Sequence, residues 1–587
     1  MTALEDALRT ADVAADRFLT GKKIPGVAYG VVVGGELVHS RGIGTLRVGQ
    51  DAPPDADSVF RIASMTKSFT AATVVSLRDE GRLSLDDSIA SHVPELRALR
   101  GPTVDSPTIT VRHLLTMSAG LATDDPWGDR QQGLDFRAFS ELLRGPLTFA
   151  WTPGTRFEYS NLGYGILGRL ITNVAGAEYS DVVRERLLRP LGLASTTYLA
   201  EEVPPERLAR GYVWRDAYAE EPMDEYGALA SMGGIFSSVR DLARWVGFFA
   251  DAFPPRNDPE DRLPLSRASR REMQQVHRAI PPDLTLPSPD ADPGVTGVGY
   301  GTGLLVMDDL RWGRIVGHSG GYPGFGSHMR WHPASGLGVI VLGNHRYAPS
   351  TPLARDLMTA LLVADAVPAR RVRPSAATAA ARADAERLLA SWDDGLASRL
   401  FAMNVELDEP IAHRRAEIER IRAVHGALRP DPDLPDESTT RLHLAWWLAG
   451  ERGGRVRVEI LLSPEAPSRV QTFGLTSVPD PPGTLHVVAA AVLSAVNAPE
   501  PAIPDELDLG PDVVPGALAR VLRIVGARYA PLALGPAVAG DGVKAATWRL
   551  RGEHGELELA VERDPGTGLV TKLTLVQRPP VLPPHDD

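Results

Sequence analysis

Hydrophobic and polar positions change their period several times along the first 370 residues. Residues 1–20 carry apolar side chains at helical spacing. Val27–Val33 and Glu36–Arg41 then flank Gly34-Gly35, two extended runs around a two-residue turn, which predicts a hairpin. From 60 to 250 the pattern is mostly helical with many breaks, and it includes an apolar run from Phe69 to Leu77 that ends at Gly81. Extended runs return at Gly299–Met307, Trp312–Gly317, Ser327–Trp331 and Leu337–Leu342, followed by a helical run at Pro352–Ala364. An early hairpin and a late set of strands predict one antiparallel sheet completed by both ends of a domain, with the helical middle packed at its side. That is an α+β layout, because strands and helices do not alternate as βαβ units.

The segment Val367–Pro374, rich in proline and arginine, predicts a linker, placed at 368–375. Beyond it the order of elements repeats at a spacing of roughly a hundred residues. The first copy has a helix ending at Asn404, then Glu406-Leu407-Asp408, a helix containing Ile418–Ile421, and strands at Val456–Leu462 and Val470–Phe473. The second has a helix ending at Asn497, then Glu506-Leu507-Asp508, a helix containing Val521–Ile524, and strands at Leu557–Val561 and Val570–Leu575. A Pro-rich stretch, Val478–Gly483, separates them. The expected organisation is a domain over 1–367 and two small α+β modules over 376–477 and 484–578.

Composition narrows the functional classes. An apolar content of 43% excludes a mainly disordered chain. No apolar run is long enough to cross a bilayer, and Val487–Val496 reads as an ordinary helix. The start, Met1–Asp6, is acidic and lacks a basic-then-apolar signal pattern, so the expected location is cytoplasmic. A net charge of −12 without a basic stripe argues against nucleic acid as a partner. The absence of cysteine excludes thiolate zinc sites and cysteine nucleophiles. His328, His332 and His345 read as surface or packing residues on or beside strands, so neither a metal nor a cofactor is expected. The glycines at 297, 299, 301 and 303 do not fit a dinucleotide fingerprint and read as a crowded strand. Asp124–Arg130 is a polar loop with one tryptophan, read first as surface.

Three short motifs carry candidate chemistry. The first is Ser64-Met65-Thr66-Lys67, just before the apolar helix. Residues three apart share a helix face, so Ser64 and Lys67 are placed together. A serine hydroxyl needs a base to take its proton, and a lysine serves once burial and the helix N-terminus lower its pKa. Lys67 is one of five lysines in the chain. The second motif is Tyr159-Ser160-Asn161: a phenol for proton transfer and an amide able to hold a lysine and a carbonyl. The third, Gly317-His318-Ser319-Gly320-Gly321, has two readings. It matches Gly-x-Ser-x-Gly, the nucleophile elbow of α/β-hydrolases, which would make Ser319 the nucleophile. An elbow needs a helix directly after it, and Tyr322-Pro323-Gly324 cannot open one.

Taken in order, Ser-x-x-Lys, Tyr-x-Asn and His-x-Gly resemble the serine β-lactamase and penicillin-binding-protein superfamily. The likeness is to its class-C-like branch, which includes D-aminopeptidases, D,D-peptidases and carboxylesterases. It covers roughly residues 10–365, with support from Phe60–Ala63, Ile109–Leu121, Gly233–Ser238 and Gly320–Ser327. The resemblance implies that Ser64 is acylated and that Lys67 and Tyr159 share the proton work, without deciding which is the base in acylation. It implies that Asn161 orients Lys67 and substrate, that His318 lines the site on an edge strand, and that the Asp124–Arg130 loop lies near the active-site rim, which gives it a second reading as a substrate contact. Backbone N–H groups of Ser64 and Gly321 would form the oxyanion hole, with Gly320 and Gly321 allowing close approach. The modules after 376 resemble the cone-shaped nuclear-transport-factor-like modules that often follow such hydrolases, read as structural or shielding appendages.

The expected activity is hydrolysis of an ester or amide in a small molecule or peptide. Acyl transfer or peptide cyclisation is the alternative, as is a penicillin-binding sensor that acylates without turnover. Where β-lactamases usually carry lysine, this chain has His318, whose reference pKa of about 6.5 predicts a mostly neutral ring near pH 7 that gains charge toward pH 6. Weak or absent β-lactamase activity follows. Oligomeric state has no signature in the sequence.

Overall fold

A computed structural model describes residues 3–260, 264–281, 296–309, 312–367, 373–552 and 555–577. The chain divides into two compact units, Met1–Pro368 and Ala369–Asp587. Residues 368–372 of the expected linker lie outside the described residues.

The first unit is built on an eight-stranded antiparallel sheet. Its strands, in chain order, are β1 (Gly26–Val33), β2 (Glu36–Gly44), β3 (Arg278–Ala279), β4 (Thr296–Tyr300), β5 (Leu305–Asp309), β6 (Gly313–Tyr322), β7 (Phe325–His332) and β8 (Leu337–Gly343). Their spatial order is β2-β1-β8-β7-β6-β5-β4-β3, so the first hairpin closes the sheet against the last strand. Gly34 and Gly35 both have left-handed φ, 59° and 93°, as a tight turn matched to strand twist requires.

Helices α1 (Ala3–Leu19) and α6 (Ser350–Val363) pack together on one face, around Tyr29, Val31, Val339 and Val341. The other face carries the helical middle: α2 (Thr66–Asp79), α3 (Asn161–Ala175), α4 (Ala230–Gly233) and α5 (Val239–Ala250), gathered around Phe69, Leu167, Trp245 and Trp331. Alternating strand residues supply the two cores, which is why β1 and β8 read as nearly unbroken apolar runs, while β7 is buried along its whole length with Ser327, His328, Arg330 and His332 among its residues.

Two expectations needed correction here. The run Gly299–Met307 is two strands, because the chain turns between Tyr300 and Leu305, where Gly303 (φ 72°) lies against the backbone of α2. A Cβ at Gly303 would stand 2.8 Å from the Lys67 carbonyl oxygen, so only glycine lets the turn approach the helix. Also, β6 is not an edge strand of the sheet, since β5 and β7 flank it. Its pairing with β5 ends at Gly317, however, and the pairing with β7 runs on to Tyr322. From His318 onward, among the described residues, the β5 side of the strand is unpaired.

The second unit holds two four-stranded antiparallel sheets. Helices spanning 376–425 precede Leu428–Pro430, His443–Gly450, Arg455–Leu462 and Val470–Val478. Helices Gly483–Val496 and Pro515–Tyr529 precede Leu532–Gly540, Ala545–Gly552, Gly555–Arg563 and Val570–Gln577. The Asn404 predicted to end a helix lies within a short one, Met403–Asp408. The buried Arg549 guanidinium of the later sheet donates to Glu437 at 2.6 Å, joining the two halves of this unit by a charged contact.

Candidate active site

Ser64 sits in a single 3-10 turn, Ala63–Met65, that runs directly into α2. From Ser58 to Leu77 every residue is buried except Ser64, so the segment presents one side chain to the outside. The turn is strained: Ala63, a buried non-glycine residue, holds a left-handed φ of 48°. Such a conformation costs about 1–3 kcal/mol and persists only where packing imposes it.

The Lys67 ammonium is fully buried and donates three hydrogen bonds: to Ser64 Oγ at 2.9 Å, Asn161 Oδ1 at 2.7 Å and the Met232 carbonyl at 2.8 Å. Burial pushes its pKa down to about 8, against the upward pull of Asp125, Asp129 and Asp124. The two partners other than serine are oxygens that only accept. When Lys67 is neutral they therefore hold its two remaining N–H bonds, and its lone pair is left pointing at the serine hydroxyl.

Asn161 opens α3, with Ser160 as its N-cap accepting from Gly163 at 3.1 Å. Its amide is fixed by Asp125, which accepts from Nδ2 at 2.7 Å, so Oδ1 faces Lys67. Asp124 accepts from the backbone N–H groups of Asn161 and Leu162, each at 2.7 Å, at the positive end of the helix. The loop first read as surface is thus the support beneath Asn161. Sequence reasoning singled out this loop as surface or as a substrate contact and missed the supporting role of Asp124 and Asp125, as it missed Met232; the adjacent acids were the available signal, and a backbone carbonyl has none.

The ring of Tyr159 lies 4.9 Å from Lys67 Nζ, and its hydroxyl is hydrogen-bonded with Ser64. Burial raises its pKa well above the usual tyrosine value, outweighing the bond from Ser64, so it is a neutral phenol at pH 7.

His318 is buried, with Nδ1 2.6 Å from the Ser319 carbonyl and Nε2 3.1 Å from the Tyr300 hydroxyl. Two acceptors do not approach so closely, so Nδ1 carries the proton and Nε2 receives the tyrosine hydrogen. Burial, then Lys67, pushes the His318 pKa down to about 3. The expectation that it gains charge near pH 6 is therefore corrected: reference values describe an exposed ring, and this one is not.

Gly320 lies against the Ala63–Met65 turn; a Cβ there would meet the Ile62 carbonyl oxygen at 2.2 Å and the Ala63 Cβ at 3.1 Å. Ser319 lies mid-strand opposite His328, and the strand continues to Tyr322 and a hairpin. No helix follows it, so the elbow geometry is absent.

Protein flp of Staphylococcus aureus (strain MW2) is 26% identical over 342 residues, 58% of this chain and 63% of flp, so this chain spans less than two thirds of that protein. The D-alanyl-D-alanine-carboxypeptidase/endopeptidase AmpH of Escherichia coli (strain K12) is 28% identical over 354 residues, 58% of this chain and 85% of AmpH. The octameric penicillin-binding protein homologue from Pyrococcus abyssi shares the fold, with a TM-score of 0.52 at 19% identity over 97% of this chain and 98% of that one. The Beta-lactamase family profile matches residues 11–363, a stretch that contains Ser64, Lys67, Tyr159, Asn161 and His318, and the chain belongs to that family.

Proposed function

We propose that this chain is a serine hydrolase that cleaves an ester or amide through an acyl-Ser64 intermediate. The observation that carries the reading is the Lys67 environment: a buried amine with pKa about 8, 2.9 Å from Ser64 Oγ, its other partners both acceptors. At pH 7 a group of that pKa is neutral in about one molecule in ten, close to the balance a general base needs. Tyr159, held neutral by burial, is the poorer base and serves as a relay for the proton.

In the proposed sequence, neutral Lys67 takes the Ser64 proton as Oγ bonds to the substrate carbonyl carbon. Backbone N–H groups of Ser64 and Gly321 receive the oxyanion. The carbonyl re-forms, the bond to the leaving oxygen or nitrogen breaks, and that atom leaves with the proton that Lys67 gained, passed through Tyr159. Water then attacks the acyl carbon as its proton passes through Tyr159 to Lys67, the bond from that carbon to Ser64 Oγ breaks, Oγ takes the proton from Lys67, and the acid departs.

Neutral acyl groups fit better than carboxylates. His318 supplies no charge, and Asp124, Asp125 and Asp129 all act on Lys67. A carboxylate meets no cation at the His318 position. The similarity to AmpH, which its name describes as acting on D-alanyl-D-alanine, supports a peptide substrate; the charge of the site favours an ester or an amide without a terminal carboxylate. Turnover of p-nitrophenyl esters, D-amino-acid amides and a chromogenic cephalosporin tests the reading. Steady turnover of the first or second supports it; a single stoichiometric burst on all three points to a sensor instead.

A further inference from the structure

Tyr347 follows β8 in a left-handed conformation, φ 46°, with its ring half exposed. The segment that carries it crosses beneath the end of the sheet. Ala348 lies under Gly326, where a Cβ would meet its backbone at 2.3 Å, and the Tyr347 ring lies under Gly321, where a Cβ would stand 2.8 Å from Cδ1. Gly321 and Gly326 are paired across β6 and β7, so both contacts are on one face of the sheet, opposite the face that Gly320 turns to Ser64. From there the ring reaches the other wall of the site, where its hydroxyl donates to Asp129 at 2.8 Å. Asp129 is buried in the helical middle and lies close enough to raise the Lys67 pKa. The ring therefore spans from beneath Gly321 to Asp129, and Gly321 belongs to the stretch of β6 that has no β5 partner after Gly317, along which an extended substrate would lie.

We propose that Tyr347, tied to Asp129, floors and closes the groove along the free side of β6 and limits the size of the substrate group that runs past Gly321. This deepens the hydrolase reading and rests on it. The favoured substrates carry a small group there, one the width of a few carbons, stacked on the ring. Gly321 is part of the same device, since any side chain there would displace the ring. Two strained residues, Ala63 and Tyr347, press on consecutive glycines of β6 from opposite faces, as expected where packing fixes a binding surface at the cost of local strain.

The test uses the full chain as wild type, Tyr347→Gly and Tyr347→Phe. Glycine suits the left-handed backbone, so the first variant removes the ring without adding strain; phenylalanine keeps the ring and loses the bond to Asp129. Two ester series are measured: p-nitrophenyl esters from acetate to decanoate, and acetate esters of ethyl, phenyl and naphthyl alcohols. In Tyr347→Gly, kcat/KM for the longest or widest member of one series should rise at least tenfold relative to the smallest, through KM. Tyr347→Phe should fall between this variant and wild type. Fluorophosphonate labelling of Ser64 is followed in each protein. Wild type that labels at Ser64, with size profiles in both series that are identical in all three proteins, overturns the Tyr347 proposal alone. Wild type that does not label at Ser64 overturns the underlying hydrolase reading.

Discussion

Asp125 accepts a hydrogen bond from the Asn161 amide at 2.7 Å, and this contact decides which end of the amide faces Lys67. Its negative charge is also the largest of the three that hold the Lys67 pKa up against burial. Replacing Asp125 with alanine removes both effects. The buried amide loses a partner, at a cost of about 1–3 kcal/mol in stability, and kcat falls roughly tenfold as Lys67 loses its fixed neighbour. Loss of a nearby anion lowers the Lys67 pKa, so the rising limb of the kcat/KM profile moves to lower pH. A limb that stays in place would mean that Asp125 acts only as a brace.

The pH profile of wild type separates the two candidate bases. If neutral Lys67 accepts the proton, kcat/KM rises about tenfold per pH unit below the Lys67 pKa and levels off above about 8. The sign follows from the lysine, which is active after losing its proton. A rate that falls as pH passes through 8 would show that the ammonium is the working form and that Tyr159 takes the proton.

His318 stays neutral across the working range, with a pKa near 3. Wild type should therefore prefer a neutral ester to a cephalosporin by at least one to two decades in kcat/KM, the worth of one missing charge-assisted hydrogen bond of about 1.5–3 kcal/mol. Asp129, raised by burial to about 6, loses charge as pH falls through that value, so it accounts for any drift toward the cephalosporin there. That drift should vanish in Asp129→Asn and persist in His318→Asn. The opposite pattern would show that His318 titrates.

The parts of the fold that were legible in the sequence are those set by local period. The Gly34-Gly35 hairpin, the apolar strands and the helix after Ser64 each have a pattern that one element's neighbours create. Ser64 and Lys67 were legible for the same reason, being one turn apart. Asp124, Asp125 and Asp129 were not, because acids in a turn-rich loop look solvated until the fold buries them beside a lysine. Tyr347 had no signal at all: its place depends on a register between β6 and β7 and on the direction of the chain after β8. His318 was found, but its charge state was misjudged, since burial is a property of the whole site. The split of 299–307 into two strands came from one close approach, Gly303 to α2, between residues more than 230 positions apart in sequence.

Acylation at Ser64 underlies every step proposed above. The most direct measurement is fluorophosphonate labelling of wild type, Ser64→Ala and Ser319→Ala, with the modified peptide located by mass spectrometry and ester turnover followed in parallel. One label is expected on Ser64 in wild type and in Ser319→Ala, with most of the turnover retained in Ser319→Ala, and neither label nor turnover in Ser64→Ala. A label on Ser319 that survives in Ser64→Ala, with turnover, would contradict this expectation.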